Sequence, residues 1–223
     1  VKEQGEEDNL YYNGDDKDNE SVPSGNEQAP EPRKASAWKS WLRVLTTPLK
    51  GWKMIKASRM KSSEMETSVF YPLVALASLG AFASKFYFPD AVSVSDCLIE
   101  ATCIFVAFFA SYFLAFPLAK LLMRKDCAKR IDTQYGHCYV ASLMSTLAVF
   151  FFLYECLPFL EVLIAFTPAY TIYLSFKGME PFRVPENRRI STWVALIMMI
   201  IALPIIAYQL LGMLLPANIV AEG

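Results

Sequence analysis

Between Phe70 and Pro216 the chain is five long apolar runs separated by short polar links. The runs are Phe70–Phe88, Cys97–Met123, Cys138–Pro158, Phe159–Phe176 and Trp193–Leu215. Hydrocarbon offers the backbone no hydrogen-bond partner, so a span must be helical or part of a closed barrel, and a helix needs about 20 apolar residues to cross. The second and fifth runs reach that length easily, and the third just does. The first holds Lys85 near its end, and the fourth is short and shares a tight corner with the third. The pattern predicts an all-α, five-transmembrane-helix bundle over residues 63–223.

Ahead of the bundle the pattern changes. Trp38, Trp41, Leu42, Leu45, Leu49, Trp52 and Ile55 recur every three or four positions and so share one helical face. Lys39, Arg43, Lys50, Lys53, Lys56 and Arg59 fall largely off that stripe. Pro48 interrupts it, and Thr47 is placed to cap a second helix with Pro48 at its first position. Residues 35–62 therefore read as a cytoplasmic amphipathic segment of two short basic helices. Trp38, Trp41, Arg43, Lys50, Trp52 and Lys53 would lie at the membrane interface, with indoles among the headgroups and cations towards anionic lipid. The competing reading is a helix pair packed on the protein's own links. Residues 1–34 lack apolar periodicity and read as a disordered acidic tail, with Leu10, Tyr11 and Tyr12 its apolar anchor for any partner.

Charge fixes an orientation. Residues 1–32 carry a net −8 and residues 33–61 a net +9, although the whole chain is at −1. Positive charge recurs on alternate links: Lys120, Arg124, Lys125, Lys129 and Arg130 between runs two and three, and Lys177, Arg183, Arg188 and Arg189 between runs four and five. The other links carry Asp90 and Asp96, or Glu155 and Glu161. Cationic links stay in the cytoplasm, which places the amino terminus there and the carboxyl terminus outside. The acidic start has no apolar signal region, so the first span is expected to serve as an uncleaved insertion signal.

The stretches WLRVLTTPLKGWKMIKA and YTIYLSFKGMEPFRVPENRR, set before and within a five-span bundle, resemble the bacterial branch of the Yip1 family. The matching positions are Pro48, Trp52, Tyr170, Tyr173, Lys177 and Gly178, and the likeness covers about residues 40–215. It implies an integral protein of a bacterial cytoplasmic (inner) membrane with five helices and a cytoplasmic amino terminus. Eukaryotic members, associated with Rab GTPases and vesicle traffic, carry a stretch of the type DLYGP that this chain lacks.

Candidate chemistry is sparse. An ionisable group within a span is costly unless it is solvated or paired, so Glu100, about a turn inside the second run, stands out. Asp96 precedes it by one turn, and Glu155 and Glu161 flank the corner on the same side. Together they form a candidate outer vestibule for a cation or proton, or else a set of carboxylates at headgroup level. Lys85 either pairs with that cluster or snorkels, and Lys120 reads as an anchor. His137 is the only histidine and reads as a polar residue opening the third span. Cys138 beside it points about 100° away, a poor nucleophile pair. Cys97, Cys103, Cys127, Cys138 and Cys156 read as free thiols, with Cys97–Cys156 as a conceivable disulfide. Pro72, Pro117, Pro158, Pro168 and Pro204 are candidate kinks.

No catalytic residue, metal site or cofactor motif is expected, and the basic block belongs to lipid rather than nucleic acid. The reading is a non-enzymatic membrane scaffold or adaptor engaging anionic lipid and an unidentified protein partner, with self-association left open. The alternative is a small transporter or channel subunit using Glu100 and the outer carboxylates. A lipid-modifying enzyme is third.

Overall fold

A computed structural model describes residues 36–87, 89, 93–122, 132–157, 166–182 and 184–214. The acidic tail over 1–34, Cys127 and Glu161 lie outside the described residues. Helix α1 (Ala37–Thr46) and α2 (Pro48–Ala57) form a hairpin. Four long helices follow: α3 (Ser62–Tyr87), α4 (Val94–Leu122), α5 (Thr133–Cys156) and α7 (Glu186–Leu214). All four are long and apolar enough to cross a membrane. Between the last two lies α6 (Thr167–Gly178), only 12 residues long. At ~1.5 Å per residue α6 spans about 18 Å, short of the ~30 Å hydrocarbon core. The rest of the fourth apolar run, 159–165, lies outside the described residues. Among the described residues there is no strand.

Pro48 opens α2 as the sequence predicts, but Thr47 does not cap it. Its hydroxyl donates back to the Arg43 carbonyl at 3.3 Å. The two hairpin helices touch backbone to backbone at Gly51, where a Cβ would lie 2.4 Å from the Val44 nitrogen. Only glycine fits that approach.

α3 contains a π turn over Glu66–Phe70, in which the Tyr71 N–H bonds the Glu66 carbonyl. The widening sits just before Pro72, whose ring would otherwise clash with the carbonyl four residues back. α3 is also interrupted by a turn at Ala81 and Phe82.

α5 is the central helix. Nine consecutive residues, Cys138 to Thr146, are buried, so it has no outward face over that stretch. Its hydroxyls stay within the helix: Ser142 donates to Cys138 O at 2.8 Å, Ser145 to Ala141 O at 2.7 Å and Thr146 to Ser142 O at 2.9 Å. α3 and α6 pack on α5, and α4 and α7 pack along each other. The periphery is apolar, with Leu79, Phe105, Phe109, Phe113, Met198, Ile205 and Leu210 exposed. Such a surface is at home in hydrocarbon rather than in water.

Candidate functional site

The hairpin is clamped to the bundle through aromatic donors. Trp41 Nε1 donates to the Ser142 carbonyl of α5 at 3.2 Å, and Trp52 Nε1 donates to the Leu174 carbonyl of α6 at 3.0 Å. Tyr170 on α6 returns a bond from its hydroxyl to the Leu45 carbonyl. A helix leaves its last four carbonyls without intrahelical partners. Here those of α6 are all taken. Ser175 O accepts from Tyr139 and Gly178 O from Tyr135, both at 2.9 Å. Phe176 O and Lys177 O accept the backbone N–H groups of Met179 and Glu180. Trp193 adds a 2.8 Å bond to Ser175 Oγ.

The rings themselves pack. Trp52 lies 5.2 Å from Tyr139 between centroids, and Phe182 lies 4.8 Å from Tyr135 and 5.3 Å from Tyr139. Gly178 leaves them room, because a Cβ there would sit 2.5 Å from Tyr139 and 2.8 Å from Trp52. Trp52 and Gly178, distant in sequence, thus share one contact, with Pro48 opening the helix that carries Trp52. Tyr173 and Lys177 lie beside it, the Lys177 ammonium 5.7 Å over the Tyr173 ring.

This packing corrects part of the sequence reading. Trp41 and Trp52, expected among lipid headgroups, are buried against the protein's own helices. Their indoles find carbonyl partners there, and an apolar periodicity alone does not say whether protein or lipid covers it. Trp38 does remain outside, 39% exposed, with Leu42 and Leu49. Lys39, Arg43, Lys50 and Lys53 are exposed as well. Arg43 contacts Met54 Sδ at 3.2 Å. Two ion pairs hold the hairpin's rim, Lys53–Glu180 at 3.1 Å and Lys56–Asp132 at 2.5 Å. Asp132 also caps α5, accepting from the N–H groups of Gln134 and Tyr135. The Lys56 hydrogen bond, helped by these amides, holds its carboxyl below the usual range despite partial desolvation.

At the opposite end of α5 the expected vestibule is only partly assembled. Asp96 turns back to its own helix: its carboxylate accepts from Ser93 N at 3.0 Å and Ser93 Oγ at 2.7 Å. The Asp96 N–H in turn bonds Ser93 Oγ at 3.1 Å, which completes a reciprocal cap. Glu100 accepts from Tyr208 of α7 at 3.4 Å. Glu155, in the last turn of α5, lies against the position of Gly80 and within reach of the Glu100 charge. So Glu100 is tied to α7, Glu155 faces α3 within range of the Glu100 charge, and Asp96 serves the helix start. Lys85 donates to the Pro89 carbonyl at 2.5 Å.

A third polar contact was not legible in the sequence. Tyr112 of α4 donates to Glu66 at 2.6 Å, within the π turn. His137 meets Phe116 edge to face, with ring centroids 4.9 Å apart, and does not pair with Cys138, whose thiol points to the Met60 carbonyl at 3.6 Å. Among the described residues no cluster could hold a metal ion, and Cys97, Cys103, Cys138 and Cys156 are not disulfide-bonded. Lys120 bonds Thr133 Oγ1 at 2.9 Å, joining α4 to α5. Compared with family models, curated proteins and solved structures, the chain matches none.

Proposed function

We propose that this protein is a non-enzymatic membrane adaptor of the Yip1 type, with five crossings, a cytoplasmic amino terminus and an external carboxyl terminus. Its working surface is the hairpin α1–α2. One observation carries the reading: the hairpin's inner face is fixed to the bundle while Trp38, Leu42 and Leu49 face outward among Lys39, Arg43 and Lys50. A fixed, basic, partly apolar surface at the cytoplasmic end suits the headgroup layer of an anionic leaflet. It also presents a rigid docking face to a protein partner. The contact between Trp52 and Gly178 supports the family reading, because it joins the two stretches on which the resemblance rests.

Brominated lipids test the lipid contact. The full chain is placed in vesicles containing brominated phosphatidylglycerol or brominated phosphatidylcholine, and tryptophan quenching is compared with that of Trp38→Phe. The Trp38 share of the quenching is expected to be larger with the anionic lipid and to shrink in high salt. Quenching indifferent to lipid charge would remove the electrostatic role of the hairpin. The transport alternative rests on Glu100 and Glu155. If Glu100→Gln leaves stability intact but abolishes the chain's cellular role, transport moves ahead of the adaptor reading.

A further inference from the structure

Between α4, α5, α6 and α7, in the half of the bundle away from the hairpin, lies a cleft of about 330 Å3. Ile104, Ala107, Leu147, Phe150, Ile201 and Pro204 are among its walls, and among the described residues the hydroxyls on its lining belong to Tyr154 and Tyr208. Its volume is in the range of small-ligand sites, about 300–1,000 Å3. Walls of this kind cannot orient a polar solute. They can hold hydrocarbon, and exposed Ile205 and Tyr154 put the cleft's edge on the lipid-facing surface.

The cleft has one polar end. Glu100 lies one turn from Ile104 and two from Ala107 on the same face of α4, so it stands directly beyond the cleft. Tyr208 lines the cleft and donates to Glu100 at 3.4 Å, so the carboxylate is held at that end. Glu155 follows Tyr154 in the last turn of α5 and brings a second carboxyl group to this end of the bundle. Neither carboxylate has an ion-pair partner among the described residues. Two carboxylates in a half-desolvated setting are costly together unless a cation joins them.

We infer that the cleft holds one acyl chain of a phospholipid whose headgroup carries a primary ammonium, with that ammonium between Glu100 and Glu155. The hydrocarbon tail matches the walls, and the ammonium supplies both the charge and the N–H donors that two carboxylates accept. A choline headgroup has the charge but no N–H, and a glycerol headgroup leaves the lipid anionic. This site is independent of the hairpin and of the adaptor reading.

Native mass spectrometry of the full chain tests it. The protein in mild detergent is incubated with equal amounts of dioleoyl phosphatidylethanolamine, phosphatidylcholine and phosphatidylglycerol. One phosphatidylethanolamine is expected to stay bound, preferred about tenfold, the effect of one hydrogen bond to a charged group. The variant with Glu100→Gln and Glu155→Gln is expected to lose the preference, and Leu147→Trp, which fills the cleft, to lose retention of all three lipids. If the double variant does not purify, each single Gln variant carries the same comparison. Equal retention of choline and ethanolamine lipids, a preference that survives both Gln variants, or retention unchanged by Leu147→Trp would overturn the assignment.

Discussion

The four tryptophans have different settings, and their chemistry separates them. Trp52 is fully buried and donates to Leu174 O, whereas Trp38 is substantially exposed and makes only a ring contact with Trp41, at 5.4 Å. Trp52→Phe removes a buried donor and leaves a small void beside Tyr139. A loss of about 2–3 kcal/mol is expected from the two effects together, read as a lower melting midpoint of the purified chain. Trp38→Phe should be nearly silent in the same measurement. Equal effects from the two changes would contradict the clamp. Asp132 gives the pH counterpart. Its carboxyl titrates below its unfolded value, so the stabilisation it contributes is complete above the unfolded pKa of ~3.9 and is lost as pH falls through the lower folded value. The advantage of wild type over Asp132→Asn in melting midpoint should therefore be present at neutral pH and vanish in strong acid. It should also be modest, because the pair with Lys56 is largely solvated.

At the scale of elements, sequence periodicity located the hairpin helices but not their partners. A repeat of three to four residues sets Trp38, Trp41, Leu42, Leu45, Leu49, Trp52 and Ile55 on one side, yet of these Trp41, Trp52 and Ile55 are buried while Trp38, Leu42 and Leu49 face outward. It does not distinguish lipid from α5 and α6, since both are apolar. The start of α4 shows a different failure. Ser93 and Asp96 have the spacing of a capping box, a signal present in the sequence, yet the charge of Asp96 drew it into a vestibule. The Glu66–Tyr112 bond joins residues 46 apart, and no local pattern announces it. Gly51 tests the hairpin as an element. Replacing glycine by alanine inside a helix favours the helix by about 1 kcal/mol. At this position the new methyl would meet the backbone of Val44 at 2.4 Å, and backbone cannot step aside as a side chain can. Overpacking of this kind costs about 1–3 kcal/mol, so the crowding should win and Gly51→Ala should lower the melting midpoint. A stabilised Gly51→Ala variant would mean that the two helices do not touch there.

For the whole molecule the number of membrane crossings decides on which side each terminus lies. Four helices are long enough, and an even number would leave both ends of the bundle's chain on one side. The distribution of cations argues for five. The hairpin, the 120–130 link and the 177–189 link are all basic, and Lys56 of the hairpin pairs with Asp132 at the start of α5, so the hairpin lies at that end of the helix. Gly178, at the end of α6, is bound by Tyr135 at that same start of α5, so the third basic link begins at the hairpin end as well. Cys156 and the end of α5 lie a full helix length away. The chain must therefore return from that far end to the hairpin end between 157 and 178, and α6 covers the final part of the way. A short helix packed on α5 can complete such a return because protein, rather than lipid, satisfies the backbone beside it. The expected result is a cytoplasmic signal from a topology reporter fused at Val184 and an external signal from one fused at Gly223. A cytoplasmic signal at Gly223 would mean an even number of crossings, whether α6 or α7 is the helix that fails to cross, and the five-crossing arrangement would fall.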